Sequence, residues 1–398
     1  MRIASKLALC AALGLGSLAT TAQSADFVNV LTGGTSGVYF PLGTAMAKVY
    51  GEAMPKTKVT VQSTKASAEN LNLLQSGRGE IAFALGDAVS GAWTADADAG
   101  FPKKLDKLRG IAGIYPNYIQ IVASAESGIK TLADLKGKRV AVGSPKSGTE
   151  LNARALFKAA GMGYGDFSKV EYVSFGQSVE LMKNRQLDAT LISAGLGVAA
   201  IKDLSASIDI RIVAIGADVI AKVGDPAYQA NTIPANTYNG QTEAVPTAAI
   251  RNILVTHSGV SDDDAYLMTK TLFAELGQLQ AAHNAAKAID PKTAAAGVPV
   301  PLHPGAERYY REAGLMKQGP PTSVTRKALQ SAFLFASNHT PISPCSTPLN
   351  GPLRATRAIR RSLQSPCCSP CFRFTPRRST RLAHKSFERF TWVFWCCW

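Results

Sequence analysis

Hydroxyl and amide side chains gather on turns in this sequence. Thr32, Thr35 and Ser36 lie in LTGGTSGVYFPLG (31–43), Thr64 and Ser67 in a second loop, and Ser147 and Thr149 in a third, with Asn70 and Asp87 close behind. Directional hydrogen bonds from such groups suit a small polar ligand held in a desolvated cleft. The first turn stands between an apolar run and an alanine-rich helical pattern. It therefore aims backbone N–H groups at one spot, at the positive end of a helix dipole, where a carboxylate or phosphate can sit. The same residues also read as ordinary strand-to-helix punctuation, because glycines permit tight turns anywhere. Lys65 and Lys146 could pair with carboxylates or stand solvated at loop tips. Tyr39 and Tyr115 could wall a cleft or fill a core.

The usual constellations of catalysis are missing. No Gly-x-Ser-x-Gly elbow, phosphate loop or Gly-x-Gly-x-x-Gly dinucleotide turn is found. His257, His283 and His303 are scattered without metal-ligand spacing; His283 is expected on a helix surface and His303 in a structural role. Cys368 and Cys371 form a C-x-x-C with no second ligand pair at sensible spacing. The chain reads as a non-enzymatic binder with no cofactor and no metal.

Charge and cysteine divide the 398 residues unevenly. The net charge is +15, but residues 338–398 hold nine Arg and one Lys against Glu388 alone, and Arg2 and Lys6 add two more positive charges at the start. Removing those contributions leaves about +4 on the body, which gives no support to nucleic-acid binding. Residues 1–24 read as a secretory signal: a positive start, an apolar stretch at 7–19, and Ala22-Gln23-Ser24 as a small-x-small cleavage site. No later apolar run is long enough to span a membrane. The body is expected to be exported and monomeric and, without cysteine, needs no disulfide. The tail concentrates Cys, Pro, Arg and Trp abruptly. It reads as out-of-frame translation or a cloning artefact, with a basic, disordered arm as the other reading.

The elements that must position these turns follow one another twice. Residues 27–87 read as strand, Gly/Ser/Thr turn, helix, strand, Ser-rich turn, helix and short strand, and residues 139–195 read the same way. Ser67 is the expected N-cap of its helix, and Ser261 with Asp262, Asp263 and Asp264 opens another that runs to about 279. Residues 128–138 predict a short capped helix, and residues 232–238 a loop. Two α/β lobes built alike would place helix starts at the carboxyl ends of their strands, facing each other across a cleft.

Several segments carry a family resemblance: TGGTSGVYFPLG (32–43), the Ser-x-Glu-Asn-Leu step (67–71), Gly86-Asp87, GIYP (113–116), GIKTLADLKGKRVAVGSPKSGTELNAR (128–154), TIPANTYNGQTEAVPT (232–247) and PLHPGAERYY (301–310). In order and spacing they resemble the TAXI family, the solute-binding subunits of TRAP transporters. The resemblance implies an α/β, type II periplasmic-binding-protein fold with a ligand cleft between two lobes joined by hinge strands. It divides the chain into lobe I (25–115 plus 212–337) and lobe II (116–211), with crossings near 115 and 212. It also implies a periplasmic protein that passes glutamate, glutamine or a dicarboxylate to an ion-gradient-driven TRAP permease. By the same resemblance, ligand contacts fall on Thr35, Ser36, Tyr39, Ser67, Asn70, Asp87, Tyr115, Ser147, Gly148 and Thr149. Lys65 stands where the family more often has glycine, which bears on ligand charge preference. A binding protein of an ATP-driven importer and a secreted hydrolase are the alternatives.

Overall fold

The computed structural model describes residues 26–317, within a unit that spans Met1–Pro320. The expected signal (1–24) and the tail (338–398) lie outside the described residues. In chain order the first elements are β1 (Phe27–Leu31), α1 (Tyr39–Ala53), β2 (Lys58–Gln62), α2 (Ser67–Gln75), β3 (Ile81–Leu85), α3 (Gly86–Thr94) and the long β4 (Leu108–Ser124). Next come β5 (Arg139–Ala141), α4 (Gly148–Ala159), β6 (Lys169–Glu171), α5 (Phe175–Lys183), β7 (Ala189–Ala194), α6 (Ala199–Ser207), β8 (Ile210–Val213), α7 (Ala217–Val223) and β9 (Gln229–Ile233). The long β10 (Val245–His257), α8 (Asp262–Ala274), α9 (Leu276–Ala282) and α10 (Pro304–Glu312) complete the set.

The sequence repeat is a repeat of topology. In one lobe β1 lies between β2 and β3, all parallel; in the other β5 lies between β6 and β7, all parallel. β3 then borders β10 and β7 borders β4, both antiparallel, and β4 and β10 pair with each other. The strand order is β2-β1-β3-β10-β4-β7-β5-β6, with β8 added to β4 and β9 to β10. Two α/β lobes thus share two long strands.

Those two strands change partners along their length. β10 pairs with β3 through residues 252–255 and with β9 through 245–249. β4 pairs with β7 through residues 118–123 and with β8 through 121–124. The chain leaves the first lobe near 116–118 and returns near 250–252, where the β4–β10 register slips between Arg251 and Ile253. The return is therefore not near 212. β8 and β9 remain with the second lobe because their ladders are made to its halves of β4 and β10, so that lobe extends to about residue 250.

Helices cover both faces of the sheet, and the core lies on both sides of it. β3 and β7 are buried at every position, as central strands covered on both faces must be. α1 buries Leu42, Met46, Val49 and Tyr50, one stripe at helical spacing. Some local expectations shift. Ser67 is the first residue of α2 rather than its cap; Ala66 precedes it at φ 72°, and the Ser67 hydroxyl accepts from the Leu85 N–H instead. Residues 128–138 hold only a 3-10 turn, Leu132–Leu135, closed by a Thr131/Asp134 capping box. The 232–238 loop begins inside β9. Ser261 caps α8 as expected, but the helix breaks at Glu275 before α9. His303 is buried and caps α10, accepting from the Gly305 N–H, while His283 is half-buried and caps the 3-10 turn that follows α9.

At the lobe crossing the ladder irregularity is filled by side-chain amides. Asn252, fully buried, donates to the Tyr115 carbonyl at 2.9 Å and to Asn117 Oδ1 at 2.7 Å, and accepts from the Tyr39 hydroxyl at 2.5 Å. Asn117 in turn donates to the Ser193 carbonyl at 3.1 Å. Each group left unsatisfied in such a setting costs about 1–3 kcal/mol. Asn252→Leu strips partners from three of them, so chemical denaturation should show a loss of roughly 3 kcal/mol or more; an unchanged midpoint would show that the amide is dispensable.

Candidate functional site

A cleft opens between the lobes against this polar floor. Its cavity volume is about 80 Å³, within about 610 Å³ of space that includes the open mouth. Besides α1, three helices begin at it: α2 from the first lobe, and α4 and α5 from the second, through Ser67, Gly148 and Phe175. The opening N–H groups of a helix have no intrahelical acceptor, and the helix dipole makes that end positive. Ser147 and Ser174 are N-caps whose hydroxyls accept from the N–H groups of Glu150 and Gln177, which leaves the first two N–H groups of each helix uncapped. α1 also starts here, with Tyr39 stacked on Phe83 at 5.0 Å between ring centres. Burial pushes the Tyr39 phenol well above its ordinary range, so it remains a hydroxyl.

The lobes touch along the cleft. The Glu69 N–H donates to the Lys146 carbonyl at 3.2 Å, and the Ala200 N–H donates to the Ser36 carbonyl at 3.3 Å. Gly148 lies so close to the first lobe that a Cβ there would stand 2.5 Å from Ser67 Oγ and 2.6 Å from Leu85 Cδ1. Glycine lets the start of α4 approach α2 this closely.

Of the ten residues singled out in sequence, Tyr39, Ser67, Ser147, Gly148 and Thr149 line the cleft together. The other five do not. Thr35 is exposed, and Ser36 meets the second lobe through its carbonyl; their neighbours Gly34 and Gly37 line the cleft instead. Asn70 is fully buried and engaged, accepting from Thr64 Oγ1 at 2.6 Å and donating to the carbonyls of Thr32 and Phe83. It braces the second loop behind the lining. Tyr115 is fully buried beneath the floor. Lys65 lines the mouth, whereas Lys146 does not line it. Residues that the sequence reading missed are Asn117, Ser144, Ser174, Phe175 and Ser193. Asn117 and Ser193 had a signal: a polar residue set within otherwise apolar strands.

Asp87 holds the lobes together elsewhere. Its Oδ2 accepts from Asn152 Nδ2 on α4 at 2.6 Å and from the Tyr228 hydroxyl at 3.0 Å, and its Oδ1 accepts from the Ala88 N–H. A separate groove runs past it, edged by Asp225, Arg154, Lys222, Asp96 and Asp98. Burial raises the Asp87 pKa to about 6, offset in part by hydrogen bonds from Ala88 and Tyr228. Burial also pushes the Tyr228 phenol far up. Among the described residues, no group of three His, Cys, Asp or Glu could hold a metal, and no helix is long and apolar enough to cross a membrane.

The NMT1-like family matches residues 30–314. Among solved structures, the chain is similar to the alkanesulfonate-binding protein SsuA from Xanthomonas axonopodis pv. citri, at 19% identity over 79% of this chain and 94% of that one, with a TM-score of 0.41. The periplasmic aliphatic sulphonate binding protein SsuA from Escherichia coli matches at 15% identity over 84% and 99%, with a TM-score of 0.39. The periplasmic binding protein BugD matches at 12% identity over 73% and 99%, with a TM-score of 0.47.

Because opening the lobes would break this clasp and return Asp87 to water, closure is expected to depend on pH. A carboxyl raised above its ordinary value favours the closed arrangement fully below that ordinary value, and the advantage is lost as pH rises through about 6. Ligand affinity measured from pH 7 down to pH 5 should therefore increase, and Asp87→Asn should flatten the profile. Asp87→Ala leaves the Asn152 and Tyr228 donors unpaired on closing and should weaken binding by roughly tenfold, within the 1–3 kcal/mol cost of such groups. A profile in Asp87→Asn as steep as in the unaltered chain would contradict the clasp.

Proposed function

The chain belongs to the NMT1-like family, and on that premise we propose that it is a periplasmic solute-binding protein that captures a small organic anion and delivers it to a membrane permease. The observation that carries this reading is the meeting around one cleft of Lys65 and three helix starts from both lobes, each with its first two N–H groups free of a side-chain cap. Each helix start favours an anion by about 0.3–1 kcal/mol where exposed, and by more where water is excluded. An anion bridging the two lobes favours the closed arrangement only through contacts it makes with both.

The binding component of an ATP-driven importer is the first reading of its partner, resting on the family match. The segments at 32–43 and 128–154 that resemble the TAXI family support a second, an ion-gradient-driven TRAP permease, with glutamate, glutamine or a dicarboxylate as cargo. Tyr39, Ser67, Ser147, Gly148 and Thr149 are the proposed ligand contacts, with Asn70 bracing them. Uptake into vesicles containing each kind of permease separates the two, since one requires ATP and the other only an ion gradient.

A thermal-shift panel of small organic anions on the full chain tests capture itself. A ligand at 100 times its dissociation constant should stabilise the protein by about 2.7 kcal/mol. The midpoint should then rise by several degrees. A panel in which no anion moves the midpoint, while a neutral solute does, would contradict the anion reading.

A further inference from the structure

We propose that the ligand of this cleft is a short oxyanion, a carboxylate or a sulfonate, that carries no amine. The proposal rests on the solute-binding reading and narrows it. Charge is the first argument. Among the described residues, those lining the cleft include one cation, Lys65, and three helix starts, but no carboxylate. An ammonium drawn into it would lose water and meet positive ends without a counter-charge, which is costly in a desolvated site.

The nearby carboxylates are committed elsewhere. Glu69 Oε2 accepts from the Lys65 N–H at 2.5 Å, folding back on its own loop. Asp87, the acid that the sequence places beside the turns, holds Asn152 and Tyr228 across the lobe contact and faces the separate groove.

A second observation points to an acceptor-rich ligand independently of the helix starts. Ser193 is 5% exposed and lines the cleft, and its hydroxyl has no hydrogen-bond partner among the described residues. Its carbonyl is already taken by Asn117 Nδ2. By turning toward the cleft this hydroxyl would donate to a ligand oxygen, satisfying a group that burial otherwise leaves unpaired.

Size and apolarity set the remainder of the molecule. The cavity volume of the cleft, about 80 Å³, is small and favours a short molecule. Val38, Leu85, Phe175 and Ala194 provide apolar lining beside the polar groups. A headgroup with a short alkyl or oxo-alkyl body fits both conditions.

Isothermal titration of the full chain with three matched pairs tests this: pyruvate against alanine, ethanesulfonate against taurine, and 2-oxoglutarate against glutamate. The amine-free member of any pair that binds should bind at least tenfold more tightly. Which pair binds best distinguishes carboxylate from sulfonate and short from long. Ser193→Ala should weaken the favoured ligand about fivefold or more without lowering the melting temperature of the unliganded chain. Equal or tighter binding of alanine, taurine or glutamate overturns the proposal and leaves solute capture standing. Unchanged affinity in Ser193→Ala likewise overturns the assigned role of that hydroxyl. Binding by none of the six overturns the proposal and anion capture together.

Discussion

The side chain of Asn252 sits where two long strands change partners, and its three hydrogen bonds serve both lobes. Its amide nitrogen ties β10 to β4 through the Tyr115 carbonyl and Asn117, and its oxygen receives the Tyr39 hydroxyl. A buried polar group costs heavily when unpaired and orders its surroundings when every bond is made. The network therefore determines more than the crossing. Through Tyr39 it anchors the start of α1, and through Asn117 it reaches the carbonyl of Ser193 on β7. The floor of the cleft, one wall from each lobe and the strands on which they would turn are held by one chain of hydrogen bonds.

From that floor upward, the cleft is assembled from helix starts rather than from charged side chains. The two lobes have the same strand arrangement, so each presents helix N-termini at the carboxyl edge of its parallel strands. Gly148 permits the close approach of α4 to α2, with Ser67 and Leu85 where any larger residue would place its Cβ. The Asp87 clasp lies outside the lining, so this part of the lobe contact is made by residues that do not touch the ligand. A binding protein built in this way can alter how readily it closes without altering what it holds.

Much of this was legible in the sequence, because the parallel strands and their glycine–hydroxyl turns are local patterns. The segments 27–87 and 139–195 announced two similar lobes, and five of the ten singled-out residues do share one cleft. What was not legible depends on pairings between distant residues. The pattern of residues 210–233 does not reveal that β8 and β9 add to the second lobe, because that is determined by the far halves of β4 and β10. Ser67 looked like a helix cap in isolation, but tertiary packing turns its hydroxyl to the Leu85 N–H. Asp87 looked like a ligand contact until Asn152 and Tyr228, 65 and 141 residues away, were brought to it. Asn252, within an apolar strand, was a visible anomaly whose meaning required the crossing.

The central claim is that one small anion is held at helix starts from both lobes at once. Amide hydrogen exchange of the full chain, with and without its tightest-binding carboxylate or sulfonate, tests this most directly. The account predicts that ligand slows exchange together at residues 67–68, 148–149 and 175–176, the N–H groups left free at the starts of α2, α4 and α5. Protection confined to one lobe, or lying along the separate groove near Asp87, would contradict it.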